Sequence, residues 1–145
     1  MKIIDQLRAG VTTTSATETQ ALAAELSAAL PADATLALHG DLGAGKTTFV
    51  QGLARGLGVG EPVTSPTFTI FTLHRGRGCT LVHLDAYRLE NAAQLDAVML
   101  DDFLVSPYCL AIEWPENIAA WLPAGTLHLD LGILQDKRHT IRLRG

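Results

Sequence analysis

Lysine is scarce in this chain: among 145 residues it occurs only at positions 2, 46 and 137. Eleven Lys and Arg face fifteen Asp and Glu, a formal charge of −4. A broad basic field for gripping a polyanion is therefore missing, and contact with nucleic acid would need a local patch or a partner. Cysteine is limited to Cys79 and Cys109, with no CxxC pair, which argues against a disulfide scaffold and for a reduced compartment with buried thiols. No apolar run approaches the ~20 residues of a membrane span, and the charged start MKIIDQLRAG lacks the apolar stretch of a signal peptide. These absences lead to the expectation of a cytoplasmic protein with no membrane association. What is abundant is core material: 48% of the residues are hydrophobic and the mean hydropathy is +0.21, ample for one packed domain over residues 1–145.

No linker, internal repeat or low-complexity tract interrupts the chain. In SATETQALAAELSAALP, Ser15 stands three residues before Glu18 as a capping box, Leu22, Leu26 and Leu30 recur at helical spacing, and Pro31 follows. This predicts the first helix. TLAL at 35–38 reads as a buried strand running into the glycine-rich stretch HGDLGAGKTTF, residues 39–49. The segment after it carries Phe49, Val50, Leu53 and Leu57 on one face and stops at Gly58 and Gly60, so it is read as a helix. TFTIFTL and CTLVHLDAY, joined by HRGRG, predict a hairpin; residues 91–104 read as helix. YCLAIEW predicts another buried strand, PENIAAWLP a short helix with Pro115 in its first turn, and the alternating tail a second hairpin. The expected architecture is an α/β sheet with a parallel centre, antiparallel hairpin additions and helices on both faces.

Gly40, Gly45, Lys46 and Thr47 satisfy G-x-x-x-x-G-K-[ST], a pattern that arises by accident once in ~30,000 positions at average residue frequencies. The strand before and helix after are the context this motif requires. Its glycines let successive N–H groups turn inward around phosphate oxygens, helped by the partial positive charge of the helix start. The expected phosphate contacts are Asp41, Leu42, Gly43, Ala44, Gly45, Lys46, Thr47 and Thr48, with Lys46 neutralising the terminal phosphates. Thr47 offers a hydroxyl to Mg²⁺, a cation that prefers hard oxygen ligands.

A phosphate cradle needs acids to complete its metal and water geometry, and two stand at strand ends: Asp85 in TLVHLDAYR and Glu113 in YCLAIEW. Glu113 is assigned to Mg²⁺ with Thr47, and Asp85 to orienting or deprotonating the attacking water. Alternation places His83 on the face of Asp85, where it would brace that carboxylate. In VTSPTFT, Ser65, Thr67 and Thr69 surround Pro66 just past the helix, as a nucleotide-sensing loop would. The histidines at 39, 74, 83, 128 and 139 show no metal-ligand spacing, and no zinc is expected. With so few lysines no [NT]KxD guanine-reading motif can be written, which favours adenine. A small-molecule kinase would use the same loop but needs an arginine-bearing lid, and residues 89–107 hold no arginine.

Taken in order and at their separations, HGDLGAGKTTF, SPTF, HLDAYRL and EWPE resemble the TsaE family, also called YjeE, over about residues 15–122. The resemblance implies an ATPase serving threonylcarbamoyladenosine formation in tRNA. It implies ATP on Gly40 to Thr48, a switch-like loop at Ser65 to Phe68 that includes Thr67, and Mg²⁺ and hydrolysis roles for Asp85 and Glu113. It also marks Tyr87, Arg88 and Trp114 as site or partner-facing residues. As partners it implies TsaB and TsaD, with tRNA met indirectly through that complex.

Overall fold

A computed structural model describes residues 2–64, Pro66 and residues 69–145. The chain runs α1 (Ile3–Ala9), β1 (Val11–Thr13), α2 (Ala16–Ala29), β2 (Ala34–His39), α3 (Lys46–Gly56), β3 (Phe71–Arg75), β4 (Thr80–Asp85), α4 (Ala93–Ala97), β5 (Tyr108–Glu113), β6 (Leu127–Ile133) and β7 (His139–Leu143). Two 3-10 segments, Leu100–Phe103 and Pro115–Trp121, flank β5.

Among the described residues, seven strands form one sheet in the order β1-β7-β6-β2-β5-β4-β3. β2 pairs in parallel with β5 and β6, and β4 pairs in parallel with β5. The flanks, β3 on β4 and β1–β7–β6, are antiparallel. The parallel centre with hairpin additions is therefore as expected. The central strands are buried on both faces, which is why β2 reads as an unbroken apolar run instead of alternating.

Helices cover both faces, unequally. α1, α2 and α3 bury Leu7, Leu26, Phe49 and Leu53 against Leu36, Leu38, Leu81 and Leu129. α4 and the 3-10 segments cover the opposite face with Leu95, Leu100 and Ile118 over Val82, Leu84, Leu110 and Ile112. The capping box holds: the Glu18 N–H donates to Ser15 Oγ at 3.1 Å, while the Glu18 carboxylate reaches back to the Thr14 N–H and hydroxyl. α2 and α3 pack closely because Gly52 has no side chain; a Cβ there would collide with the Gln20 carbonyl oxygen.

Three expectations are corrected. The chain begins with α1 and β1, which the sequence reading passed over; both are short, and each is held by tertiary contact instead of internal propensity. β3 begins at Phe71, later than the run TFTIFTL suggested. The helix expected over 91–104 is broken at Met99, which adopts the left-handed conformation (φ 57°). Leu95 and Leu100 are both buried, yet five residues of continuous helix would turn them about 140° apart. Breaking the helix lets both face the sheet.

Candidate functional site

β2 delivers the chain to Gly40 at the carboxyl end of the parallel centre, where the strand order places β5 and β6 on either side. Only glycine fits at position 40, since a Cβ would stand 2.5 Å from the Leu131 carbonyl oxygen. The loop then turns through Gly43 (φ 84°) and Gly45 (φ 96°), both in the left-handed region that disfavours side chains. α3 starts directly at Lys46 with no side-chain cap on its N-terminus and no acid in its first turn. The helix start adds partial positive charge that favours an anion there.

Lys46 is buried at 5% exposure, with Nζ donating to the Gly40 carbonyl oxygen at 2.5 Å and standing 3.4 Å from the centre of the Trp114 ring. Burial lowers its pKa from the ordinary lysine value, and Glu113, Glu116, Asp85 and Asp41 oppose that shift. Trp114 reaches this position because it is itself left-handed (φ 59°), turning sharply out of β5 after Glu113. Its ring tilts against Tyr87 at 5.1 Å, so of the two aromatics that the resemblance marked Trp114 meets the lysine and Tyr87 backs the indole.

Glu113 is 4% exposed. Its carboxylate accepts from Thr47 Oγ1 at 3.1 Å and from His83 Nε2 at 2.6 Å. His83 is fully buried, and its Nδ1 has no partner among the described residues. An acceptor on Oε2 requires Nε2 to carry the proton. The brace expected between His83 and Asp85 is thus a brace on Glu113. Parallel pairing sets Asp85 level with Glu113 and His83 level with Ala111, so the histidine reaches across to the neighbouring strand. Asp85 is partly exposed and uses Oδ1 to accept the Tyr87 N–H at 3.0 Å, closing the turn that follows β4.

These side chains surround a cavity of about 380 Å³ lined by Leu42, Gly43, Gly45, Lys46, Thr47, Thr48, Asp85, Tyr87, Glu113, Trp114 and His139. The expected loop residues lie at it or immediately beside it: Asp41 accepts the Ala44 N–H at 3.1 Å and Ala44 is buried, so these two shape the turn. Thr67 lies outside the described residues, as do Ser65 and Phe68. Sequence reasoning missed His139. Its ring comes from the first residue of β7, and Nδ1 bonds the Ala44 carbonyl oxygen at 3.1 Å. Nothing local in the tail hairpin signals this; only the strand order brings it to the loop.

A parallel-centred sheet with a glycine loop between its central strand and a helix, a buried lysine in the loop and acids on the adjoining strands defines a class of α/β proteins built around an anion cradle. A model of the family described as threonylcarbamoyl adenosine biosynthesis protein TsaE matches residues 13–141. The chain belongs to the TsaE family, whose members take part in tRNA threonylcarbamoyladenosine biosynthesis. It is 41% identical over 104 residues to the TsaE protein of Treponema pallidum, covering 72% of this chain and 76% of that one. It is 44% identical over 92 residues to the TsaE protein of Nostoc, covering 61% of this chain and 57% of that one. The crystal structure of Bacillus subtilis YdiB superposes with a TM-score of 0.71 at 35% identity, over 92% of this chain and 82% of that one. Among the described residues no helix is long and apolar enough to cross a membrane.

Proposed function

We propose that this chain is an ATPase that uses Mg²⁺ and supports threonylcarbamoyladenosine modification of tRNA together with TsaB and TsaD. The observation that carries the reading is the meeting of Thr47 with Glu113 at 3.1 Å, beside buried Lys46 and at the uncapped start of α3. A hydroxyl and a carboxylate are the hard oxygen donors that Mg²⁺ takes alongside phosphate oxygens and water. The magnesium ion supplies charge neutralisation on the terminal phosphates.

The chain's own residues divide the remaining work. The amides of the loop and of the first turn of α3 bind the phosphates, and Lys46 trades its contact with the Gly40 carbonyl for the phosphate charge. His83 holds Glu113 toward Thr47, and Trp114 covers the lysine. Asp85, which lines the same cavity, is the group assigned to orient the attacking water and accept its proton. Intrinsic turnover is slow in this scheme, because among the described residues no arginine lines the cavity to stabilise the transferring phosphoryl group. A partner completes the site. The net charge of −4 suits a protein that meets tRNA only through a complex.

The test is phosphate release from ATP and from GTP, with and without TsaB and TsaD. ATP is hydrolysed in preference to GTP, the complex accelerates it, and Lys46→Ala abolishes nucleotide binding in calorimetry. Unchanged ATP affinity in Lys46→Ala would refute the phosphate site. Phosphate transfer to an added metabolite, with no response to TsaB and TsaD, would make the chain a small-molecule kinase instead.

A further inference from the structure

The loop is held from two directions: Lys46 binds the carbonyl of Gly40 at its start, and His139 binds the carbonyl of Ala44 near its end. A carbonyl oxygen only accepts, so Nδ1 of His139 carries the proton. The ring also lies against Gly45, where a Cβ would stand 3.3 Å from Nδ1. The backbone of His139 is fixed on both sides by the sheet, level with Thr13 of β1 and with Ile133 of β6. The histidine is therefore an anchor on a rigid element, adding to the hold that Lys46 and the Asp41–Ala44 turn give the loop.

The consequence lies in the peptide unit it holds. The bond between Ala44 and Gly45 is planar and trans, so the Ala44 C=O and the Gly45 N–H point in opposite directions. Pinning the carbonyl on His139 aims the Gly45 N–H the other way. That N–H donates to no group among the described residues. Gly45, in the left-handed region, could otherwise rotate this peptide with little steric cost.

We propose that His139 is a positioning residue for phosphate binding: by holding the Ala44 carbonyl it presets the Gly45 N–H as a donor to the β-phosphate of a nucleoside diphosphate or triphosphate. The inference rests on the nucleotide-binding reading above and extends it to a residue from the far end of the chain. It makes the C-terminal hairpin part of the phosphate site.

The effect must be specific to the second phosphate and to the position of the donor on the ring. Asn places its amide nitrogen where the histidine carries Nδ1, whereas Gln places it near Nε2; both are polar and keep the surface wet. Calorimetry of ADP and AMP on the wild type, His139→Asn and His139→Gln, with thermal melting of each, decides the matter. Loss of one preset hydrogen bond lowers ADP affinity about five- to tenfold in His139→Gln, while AMP affinity changes less than twofold and His139→Asn stays near the wild type. Equal weakening of ADP and AMP overturns the proposal, as does wild-type ADP affinity in His139→Gln or an equal loss in the Asn variant. If the wild-type chain binds no nucleotide, the functional reading fails at its root, a result separate from these.

Discussion

Replacing His83 with Leu isolates the contact that shapes the acidic wall of the site. The pair is buried on both sides, His83 at 0% and Glu113 at 4% exposure, and the bond is 2.6 Å long. Leucine offers no donor in place of Nε2, so among the described residues the Glu113 carboxylate keeps the Thr47 hydroxyl. A buried hydrogen bond to a charged group contributes about 1.5–3 kcal/mol. Glu113→Gln removes the charge and retains the shape, at about 1–2 kcal/mol. In the double variant the leucine no longer faces a stranded charge, so the cost falls below the sum by about 2 kcal/mol. At roughly 3 °C per kcal/mol for a chain of this size, His83→Leu melts about 5–9 °C lower. Urea unfolding of the four proteins of this cycle, without nucleotide, measures the coupling. Additivity within ~0.5 kcal/mol would show that the two side chains are neighbours without energetic connection, and the brace on Glu113 would be discarded.

Burial, with Arg144 and His128 adding to it, holds His39 below the ordinary histidine range. The folded state then resists the proton that the unfolded chain accepts near pH 6.5. Stability contributed by this group is full above that pH and falls as the solution is acidified through it; in His39→Gln the loss between about pH 7 and pH 5 is shallower by equilibrium unfolding. An equally steep loss would assign the acid sensitivity elsewhere. Burial pushes the Cys109 thiol up to about 12. A disulfide reagent at pH 8 therefore labels Cys109 only on the timescale of unfolding, and mass spectrometry after a short pulse finds it unmodified; prompt labelling would contradict its place in the core.

The central architecture was legible because its signals are local. The run TLAL, the glycines after it and the amphipathic stretch from Phe49 to Leu57 lie side by side in sequence, and the acids at 85 and 113 each end an apolar run. What escaped depends on contacts between distant segments. His83 was paired with Asp85 by alternation along one strand, but its partner sits on the next strand, and only the register of β4 against β5 reveals it. His139 entered the site through the order of four strands, which no spacing in the tail encodes. The break at Met99 follows from two leucines competing for one face of the sheet, a constraint that appears only once the sheet exists. α1 was passed over since seven residues are too few for propensity to declare a helix without the core that Ile3 and Leu7 enter.

The lysine at the heart of the site is already satisfied at rest, by a carbonyl oxygen on one side and an indole face on the other. In the proposed nucleotide role an incoming phosphate would therefore exchange partners with it. The net gain is the difference between two similar sets of contacts, much smaller than the attraction of a bare ammonium for an anion. Such a site grips without locking. In the proposed role that exchange would alter the contact between Lys46 and the Trp114 ring, so the indole is the part of the wall that would report it.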